Sequence, residues 1–386
     1  MSAPTPSERI RSLPRSGIRE VMELALELPD AIRLEIGDPD FATPSHIVDA
    51  AAAAAGAGFT HYSPGIGLRS LRELVAAKVT ERNGFACSPA EVVVTTGACG
   101  GLHASLLALL DPGDEVLLPD PGWTTLVPMA LAAGAVPVPY PLDRAGGFAL
   151  DLDALAARVG PRTRAVVVNS PGNPTGAVLA REQLAAVADL AERHGLWLLS
   201  DECYEELVFD GPHVSPASLG GGASVISVFS FSKSYAMTGW RVGYVVAPEE
   251  VARLIAKAQE PVVSGASTIS QKAAEAALTG PQDAVAAMRE AYRRRRDLAL
   301  DVLDRADVPY VRPAGAFYLM VDVAALGLAA PDFARRLLLE RGVAVVPGDA
   351  FGAGGAGMVR VSLAADEASL VEGVGRLASA VSAPGS

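Results

Sequence analysis

The chain has 386 residues, half of them apolar and a fifth charged, and its formal net charge is −12. This composition predicts a globular protein with a large core and excludes an intrinsically disordered chain. The negative charge argues against nucleic acid and anionic membranes as partners. The four arginines Arg293 to Arg296 are an exception, and their helical context favours the polar face of a helix over a binding patch.

The cysteines and the N-terminal residues bear on the compartment. Cys87, Cys99 and Cys203 have no disulfide or metal-ligand spacing, so we expect no metal site and a reducing environment. Residues 1–8 lack the apolar core of a signal peptide, and the sequence has no apolar run of about 18 residues that would span a membrane. We therefore expect a cytoplasmic location.

The first part of the chain predicts helices separated by turn-rich loops. Apolar spacing predicts a helix over 18–28, followed by a short strand over 33–36 and the loop GDPDF at 37–41. An alanine-rich helix is expected from 43 to about 57. A further helix is expected over 68–83, after the loop HYSPGIG at 61–67.

Between residues 91 and 258 short apolar strands alternate with helical patterns. The predicted strands are 92–95, 116–118, 136–139, 165–169, 196–200, 225–229 and 242–247. The predicted helices are 102–110, 126–133, 152–159, 181–194 and 249–258. This alternation predicts an α/β fold with a mostly parallel sheet flanked by helices on both faces. Ligands of such sheets bind beyond the carboxyl ends of the strands.

The last part of the chain predicts a smaller α+β domain. Strands are expected at 310–311, 316–323, 343–346 and 358–363, with helices over 333–341 and up to about 381. The N-terminal helix and strand are expected to complete this domain. We therefore divide the chain into a large domain, residues 42–278, and a small domain formed by residues 1–41 and 279–386.

Three predicted strands are followed by residues that could contact a flat, charged ligand. Small residues at 95–101 lead into a helix and suit an anion, although a plain strand–helix turn has the same composition. Trp123 could stack on an aromatic ring or belong to the core. Asn173 lies on a loop made rigid by two prolines and two glycines, so its amide can be held in one direction.

Two further strand ends carry a carboxylate and an amine. Asp201 follows an apolar strand and would need a cationic partner if it is buried. Lys233 lies among serines, and Arg241 follows it. An amine there could form a Schiff base with an aldehyde, while the hydroxyls and the guanidinium bind a phosphate. Pyridoxal phosphate (PLP) is one ligand that would use all five groups, whereas a Ser-rich segment alone is commonly a solvated turn.

Short motifs carry a resemblance along nearly the whole chain. They are GDPDF (37–41), YSPG (62–65), TGA (96–98), DPGDEV (111–116), PGNPTG (171–176), DECY (201–204), SFSK (230–233), GWRVG (239–243), GAFY (315–318), PGDAFG (347–352) and VRVSLA (359–364). In this order they resemble the class I/II, fold-type I PLP-dependent aminotransferases. The resemblance implies the PLP-dependent transferase fold of type I, and PLP as the cofactor.

The resemblance also implies a role for each matching residue. Lys233 would form the internal aldimine with PLP, and Asp201 would pair with the pyridine nitrogen, which lets the ring accept electrons. Asn173 and Tyr204 would hydrogen-bond the ring hydroxyl, with Trp123 stacked on the ring. The residues expected around the phosphate and the lysine are Gly97, Ala98, Cys99, Ser230, Ser232 and Arg241. The catalytic residues would be Lys233, Asp201 and Tyr204.

The same resemblance implies contacts with the substrate and with a second subunit. Arg360 would bind the substrate α-carboxylate, for which a planar guanidinium is better suited than an amine. Asn173, Trp123 and the backbone near Gly37 would assist it. Tyr62 resembles a residue that reaches the phosphate in the neighbouring subunit, which implies a homodimer with shared active sites.

The predicted function is transamination by a ping-pong mechanism. An amino group would pass from an L-amino acid to a 2-oxo acid, with 2-oxoglutarate and glutamate as one pair, and Lys233 would move the proton. A PLP-dependent lyase is the alternative, since PLP stabilises a carbanion whatever step follows. A third hypothesis is a PLP-sensing regulatory module. Such a protein would also need a DNA-binding domain, and 386 residues leave no room for one beyond the length of an aminotransferase. No motif marks the residues that would read the substrate side chain.

Overall fold

The computed structural model describes residues 4–14, 17–220 and 224–382, without the side chain of Arg9. The strands of these residues are β1 (Ile32–Arg33), β2 (Val92–Thr95), β3 (Glu115–Asp120), β4 (Val136–Asp143), β5 (Ala149–Leu150), β6 (Thr163–Asn169), β7 (Trp197–Asp201), β8 (Val225–Ser230), β9 (Gly243–Val246), β10 (Tyr310–Val311), β11 (Tyr318–Asp322), β12 (Val343–Ala344), β13 (Val346–Pro347) and β14 (Met358–Ser362).

The helices surround these strands. They are α1 (Glu8–Arg11), α2 (Gly17–Leu26), α3 (Ser45–Gly56), α4 (Arg69–Lys78), α5 (Gly97–Leu109), α6 (Leu126–Ala132), α7 (Leu152–Ala156), α8 (Arg181–His194), α9 (Phe231–Ser234), α10 (Glu249–Val263), α11 (Thr268–Thr279), α12 (Asp283–Arg305), α13 (Ala330–Arg341) and α14 (Glu367–Ser382). None of them combines the length and the apolar character that a membrane crossing requires, as far as the described residues go.

A central sheet organises the middle of the chain. In the described residues its strands follow the order β2-β9-β8-β7-β6-β3-β4-β5. The pairs from β8 through β7, β6 and β3 to β4 are parallel, whereas β9 runs antiparallel to both of its neighbours and β5 is antiparallel to β4. The mostly parallel sheet predicted from the sequence is therefore confirmed.

Apolar side chains cover both faces of this sheet. Along β6, Val167 packs into one hydrophobic cluster, while Val166 and Val168 pack into a second cluster on the opposite face. All three are fully buried. Because successive strand residues point to opposite faces, a strand buried on both sides needs an uninterrupted apolar run, and this is the pattern in the sequence.

The C-terminal part forms a separate antiparallel sheet with the strand order β10-β11-β14-β13. In addition, β1 pairs in parallel with β12, joining Ile32 to Val343 and Arg33 to Ala344. The N-terminal strand thus pairs with the C-terminal part of the chain. The division into residues 42–278 on one side and 1–41 with 279–386 on the other stays a prediction.

Several element boundaries differ from the sequence predictions, and two of these differences bear on the site. The strand expected over 33–36 is only Ile32–Arg33. The carbonyl of Glu35 accepts a hydrogen bond from the Arg360 side chain and not from a neighbouring strand. The helix expected from residue 102 begins at Gly97. The glycines and small residues of its first turn carry no apolar periodicity, so the sequence pattern misses this turn.

The prediction that Arg293 to Arg296 form a polar face is wrong for half of the run. Consecutive helix residues are about 100° apart, so four of them cannot share one face. Arg293 is exposed and pairs with Glu290. Arg295 and Arg296 are buried, and Arg295 makes a bidentate contact of 2.7 Å with each carboxylate oxygen of Asp40. Both buried guanidinium groups pair with carboxylates.

We expect Arg296→Ala to lower the free energy of unfolding by about 2–4 kcal/mol, because a large buried side chain is removed and the buried carbonyl of Pro313 loses its donor. Arg296 donates to Asp210 at 2.6 Å and to the carbonyl of Pro313 at 3.2 Å. The control Arg293→Ala removes an exposed arginine of the same helix and should cost less than about 1 kcal/mol. Denaturant unfolding of both variants at one cofactor concentration measures the difference, and equal losses would contradict the buried role.

Candidate active site

A cavity lies at the carboxyl ends of β6, β7 and β8. These neighbouring strands are parallel, so Asn169, Asp201 and Ser230 finish at the same edge of the sheet. The cavity is lined by Ile18, Gly37, Ala98, Cys99, Trp123, Asn169, Asn173, Asp201, Cys203, Tyr204, Ser230, Ser232, Lys233, Thr238, Arg241, Tyr318 and Arg360. This is the edge at which α/β sheets bind their ligands.

Lys233 projects into the cavity from α9, directly after β8. Its Nζ donates a hydrogen bond of 2.6 Å to the carbonyl oxygen of Gly37 and lies 5.7 Å from the centre of the Phe317 ring. Burial lowers the pKa of Lys233 from its ordinary value. The lower pKa favours the neutral amine, which is the form that attacks a carbonyl group.

Asp201 is a buried carboxylate with few partners. Its side chain accepts a 3.2 Å hydrogen bond from the backbone N–H of Cys203, and the residue is 3% exposed. Burial raises the pKa of Asp201 to about 6. Within residues 4–14, 17–220 and 224–382 it forms no ion pair. Since a buried carboxylate is costly without a cation, the position suits a positively charged ligand group.

The N-terminus of α5 and Arg241 form an anion pocket. Gly97 has φ +75°, and a Cβ atom there would lie 2.9 Å from a guanidinium nitrogen of Arg241. Arg241 is held in place by the carbonyls of Thr238, at 2.8 Å, and Thr96, at 3.2 Å. Free N–H groups at a helix start and a nearby guanidinium together favour a phosphate.

Serine hydroxyls complete the side of this pocket that faces β8. Ser230 and Ser232 are both buried and both line the cavity. The Ser230 hydroxyl accepts a 3.1 Å hydrogen bond from the backbone N–H of Ser232, which leaves its own O–H to donate. The pair therefore offers hydroxyl donors to the same cavity that Arg241 lines.

Arg360 lies on β14 at the other end of the cavity and is only 1% exposed. Its guanidinium donates to the side-chain oxygen of Asn173 at 3.0 Å and to the carbonyl of Glu35 at 2.6 Å, while its Nε has no partner. It pairs with no carboxylate of the described residues. A buried, unpaired guanidinium suits a ligand carboxylate.

The loop after β6 is tied to β7 by one side chain. The Asn169 amide donates to the carbonyl of Asp201 at 3.2 Å and accepts from the N–H of Asn173 at 2.8 Å. Asn169 thereby fixes the distance between the strand end that carries the carboxylate and the loop that carries Asn173. It lines the cavity but was absent from the sequence prediction, although it is the last residue of a predicted strand.

The cavity brings together all the predicted site residues except two. Gly97 lies behind the guanidinium of Arg241, and Tyr62 is 93% exposed in a separate depression with Phe59 and Val263. The lining residues that the sequence prediction left out are Ile18, Asn169, Cys203, Thr238 and Tyr318. Tyr318 lies inside the motif GAFY, and Thr238 lies between SFSK and GWRVG. No feature of the sequence indicates that Ile18 lines the cavity.

Together these groups fit PLP. A buried amine suits its aldehyde, a buried carboxylate without a cation suits its protonated ring nitrogen, and the anion pocket suits its phosphate. Burial raises the pKa of the Cys99 and Cys203 thiols, which makes them poor nucleophiles. The described ranges contain no group of three or more metal-ligating side chains.

Comparisons with known proteins agree with this fit. The sequence model of the family described as aminotransferase class I and II matches residues 29–377. The chain is 44% identical over 351 residues to the arginine–pyruvate transaminase AruH of Pseudomonas aeruginosa, covering 90% of this chain and 89% of the relative. It is 41% identical over 382 residues to a probable aspartate/prephenate aminotransferase of Thermus aquaticus, covering 97% and 99%.

Solved structures give the same result. The aspartate aminotransferase of Thermus thermophilus with maleate has a TM-score of 0.94 at 40% identity, covering 97% of this chain and 99% of that chain. An aromatic aminotransferase of Pyrococcus horikoshii has a TM-score of 0.88 at 41% identity, covering 94% and 97%. The chain therefore belongs to the class I and II aminotransferases, a PLP-dependent family.

Proposed function

We propose that this aminotransferase holds PLP in the cavity at the ends of β6, β7 and β8, covalently linked to Lys233, and uses it to transaminate an L-amino acid. One observation carries the proposal. Lys233, Asp201 and Arg360 line one cavity, and among the residues that the structure describes neither the buried carboxylate nor the buried guanidinium has a partner of opposite charge. A cofactor with a cationic ring nitrogen and a substrate with a carboxylate supply the two missing charges.

The proposed contacts of the cofactor follow from the placement of the side chains. The phosphate binds at the N–H groups of Gly97, Ala98 and Cys99, and is contacted by Arg241 and the serine hydroxyls of residues 230 and 232. Asp201 holds the ring nitrogen, while Asn173 and Tyr204 donate to the ring hydroxyl. Trp123 packs against the ring face from the loop after β3.

PLP, when bound, supplies an aldehyde that links to amines and a ring that accepts electrons from the substrate Cα. The chain's residues direct that chemistry. Lys233, once displaced by the substrate amine, would act at Nζ as the base that takes the Cα proton and as the acid that delivers this proton to the carbon of the former aldehyde group. Burial favours the neutral amine that this first step needs. Asp201 keeps the ring nitrogen protonated throughout.

Arg360→Ala should weaken substrate binding far more than cofactor binding. The guanidinium is proposed to hold the α-carboxylate, and a lost charge-assisted bidentate contact costs about 2–4 kcal/mol, or roughly 30- to 1,000-fold in affinity. PLP affinity of the apoprotein should change by less than about fivefold. Steady-state kinetics and a PLP titration measure the two quantities, and comparable losses in both would refute the assigned role.

The donor and the acceptor are identified by a substrate panel. Relatives are named for arginine and pyruvate, aspartate and prephenate, or aromatic amino acids. Holoenzyme is mixed with single L-amino acids while the visible absorption of the cofactor is followed, and 2-oxoglutarate, pyruvate or prephenate is then added. We expect a donor that converts the cofactor to its amine form and releases the matching 2-oxo acid. We propose 2-oxoglutarate and glutamate as one pair.

The same panel tests the lyase alternative. A lyase would release pyruvate and ammonia with no acceptor present and would leave the cofactor in its aldehyde form. The relatives described above are named aminotransferases or transaminases, which favours transamination. Acceptor-independent turnover of any donor in the panel would contradict the proposal.

We also propose a homodimer in which Tyr62 reaches the neighbouring active site. Tyr62 is 93% exposed, and it lies beside the part-exposed apolar side chains of Phe59 and Val263. An exposed aromatic among apolar neighbours is typical of a protein interface. Light scattering should give twice the chain mass of 39.7 kDa. Tyr62→Ala should weaken PLP binding, and a monomer with intact PLP affinity would contradict the shared site.

A cytoplasmic location is proposed as well. It is supported by three unpaired cysteines, Cys87, Cys99 and Cys203, all of them partly buried. Fractionation of the source cells followed by immunoblotting tests the location, and recovery outside the cytoplasmic fraction would contradict it.

A further inference from the structure

Tyr318 lines the cavity and has no part in the function proposed above. It is the first residue of β11 and is 1% exposed, although it lines the cavity. Its hydroxyl and its ring face contact different parts of the site. A rigid side chain placed in this way can set the relative positions of its neighbours.

The hydroxyl of Tyr318 lies 3.0 Å from the hydroxyl of Tyr204 and has no other hydrogen-bond partner in the described residues. Burial raises the pKa of both phenols, so both keep their hydrogen near neutral pH. Each hydroxyl has one hydrogen to donate. If Tyr204 donates to a ligand oxygen, it is free to accept from Tyr318, and the direction of both hydrogen bonds is then fixed.

The ring of Tyr318 holds the guanidinium of Arg360. The Arg360 Cζ atom lies 4.4 Å from the centre of the Tyr318 ring and 4.9 Å from that of Phe351. Cation–π contacts with two rings define the plane of the guanidinium. Its Nε makes no hydrogen bond within the described part of the chain, so the two rings have a larger share in holding the group.

The same hydroxyl also packs against the backbone that contacts Lys233. A Cβ atom at Gly37 would lie 2.4 Å from the Tyr318 hydroxyl, so only glycine fits there. The carbonyl of Gly37 accepts the hydrogen bond from Lys233. Tyr318 thus contacts groups from the cofactor side and from the carboxylate side of the cavity.

We propose that Tyr318 is a positioning residue that keeps Tyr204 and Arg360 in register. Its hydroxyl donates to Tyr204, which leaves the Tyr204 hydrogen for the ring oxygen of the cofactor. Its ring keeps the Arg360 guanidinium aligned for the substrate carboxylate. This inference rests on the proposed function and assigns separate tasks to the hydroxyl and to the ring, so two substitutions can separate them.

The test compares Tyr318→Phe, Tyr318→Leu and the control Tyr310→Phe. Tyr310 lies on the neighbouring strand, and its hydroxyl donates at 2.8 Å to the exposed Asp304, outside the cavity. Three quantities are measured on each holoenzyme: the pH midpoint of the visible absorption band of bound PLP, the affinity for propionate as an unreactive carboxylate, and kcat. A Tyr204→Phe protein gives the reference shift of the midpoint.

Tyr318→Phe should move the pH midpoint upward, part of the way toward that of Tyr204→Phe. Without the hydrogen bond from Tyr318, Tyr204 donates more weakly to the ring oxygen. We expect kcat to fall by about 3- to 10-fold, the value of one hydrogen bond, and propionate affinity to change by less than about 2-fold. Tyr318→Leu should in addition weaken propionate binding by about 3- to 30-fold, since the cation–π contact is lost.

A Tyr318→Phe protein with the wild-type midpoint would overturn the inference, as would a Tyr318→Leu protein that binds propionate as tightly as Tyr318→Phe. If the leucine variant does not fold, Tyr318→Met, whose unbranched side chain is longer and adapts to irregular space, takes its place. Failure of the proposed function looks different, because the wild-type protein itself would then retain no PLP after desalting and would not shift the absorption band of free PLP.

Discussion

Lys233→Ala protein should lose transamination by at least about 10²- to 10⁴-fold, the contribution typical of a general acid–base group. It should still bind PLP, because the anion pocket and Asp201 are untouched. Lys233 is the amine that the cavity holds beside the Gly37 carbonyl, and no other lysine is among the described residues that line the cavity. Among the described residues no second group can therefore take over both the covalent link and the proton transfer.

Reduction with borohydride tests the covalent link between Lys233 and PLP separately from the proton transfer. In the wild-type protein it should fix PLP to the peptide that contains Lys233, which mass spectrometry detects. The alanine variant should release its PLP on unfolding after the same treatment. Lys257→Ala, an exposed lysine on α10, serves as the control and should behave as wild type. Full transamination by the Lys233→Ala protein would remove the basis of the proposed function.

The strands of the central sheet could be predicted because their burial leaves a direct trace in the sequence. The run 165–169 has no polar residue before its end, and it forms the last part of β6, which is buried on both faces. A polar residue at the end of such a run is conspicuous in the sequence. Asp201 is conspicuous for this reason, since it directly follows the predicted strand 196–200. Parallel pairing then brings these ends together without further information.

The residues that contact the site from outside the sheet could not be predicted in this way. Ile18 reaches the cavity only because α2 packs against the C-terminal part of the chain, where Ala25 contacts Leu338 and Ala344. Tyr318 lies at the start of a strand, where an aromatic residue ordinarily belongs to the core. Both depend on contacts between segments that are distant in sequence.

The sequence also does not show which of its charged side chains are buried. The run Arg293 to Arg296 contains two arginines whose partners, Asp40 and Asp210, lie more than 80 residues away along the chain. Composition places arginine at the surface, and only the three-dimensional contacts show which arginine is buried. The same applies to Arg360, whose motif was recognised although its burial was not expected.

Asp201→Asn should have opposite effects on the apoprotein and on the holoenzyme. Burial raises the pKa of the Asp201 carboxyl to about 6, above the ordinary value of 3.8. The folded apoprotein therefore retains a proton that the unfolded chain has already lost, and its stability falls as the pH rises from about 4 to about 6. Two pKa units correspond to about 3 kcal/mol. Asparagine cannot ionise, so it removes this loss.

We therefore expect apo Asp201→Asn to be more stable than the wild-type apoprotein by up to about 3 kcal/mol at pH 7 and equally stable at pH 4. Denaturant unfolding across this range measures the difference, with Asp189→Asn, an exposed aspartate on α8, as control. An Asp201→Asn apoprotein whose stability follows that of the wild type at every pH would show that the carboxylate is not strained by burial.

With PLP bound the order should reverse. The ring nitrogen then supplies the cation that Asp201 lacks, and breaking a buried ion pair costs about 3–5 kcal/mol, or roughly two to four orders of magnitude in PLP affinity. Turnover should fall as well, because an unprotonated ring accepts electrons poorly. If Asp201→Asn stabilises the apoprotein and weakens PLP binding, the carboxylate of Asp201 serves the cofactor and lowers the stability of the fold.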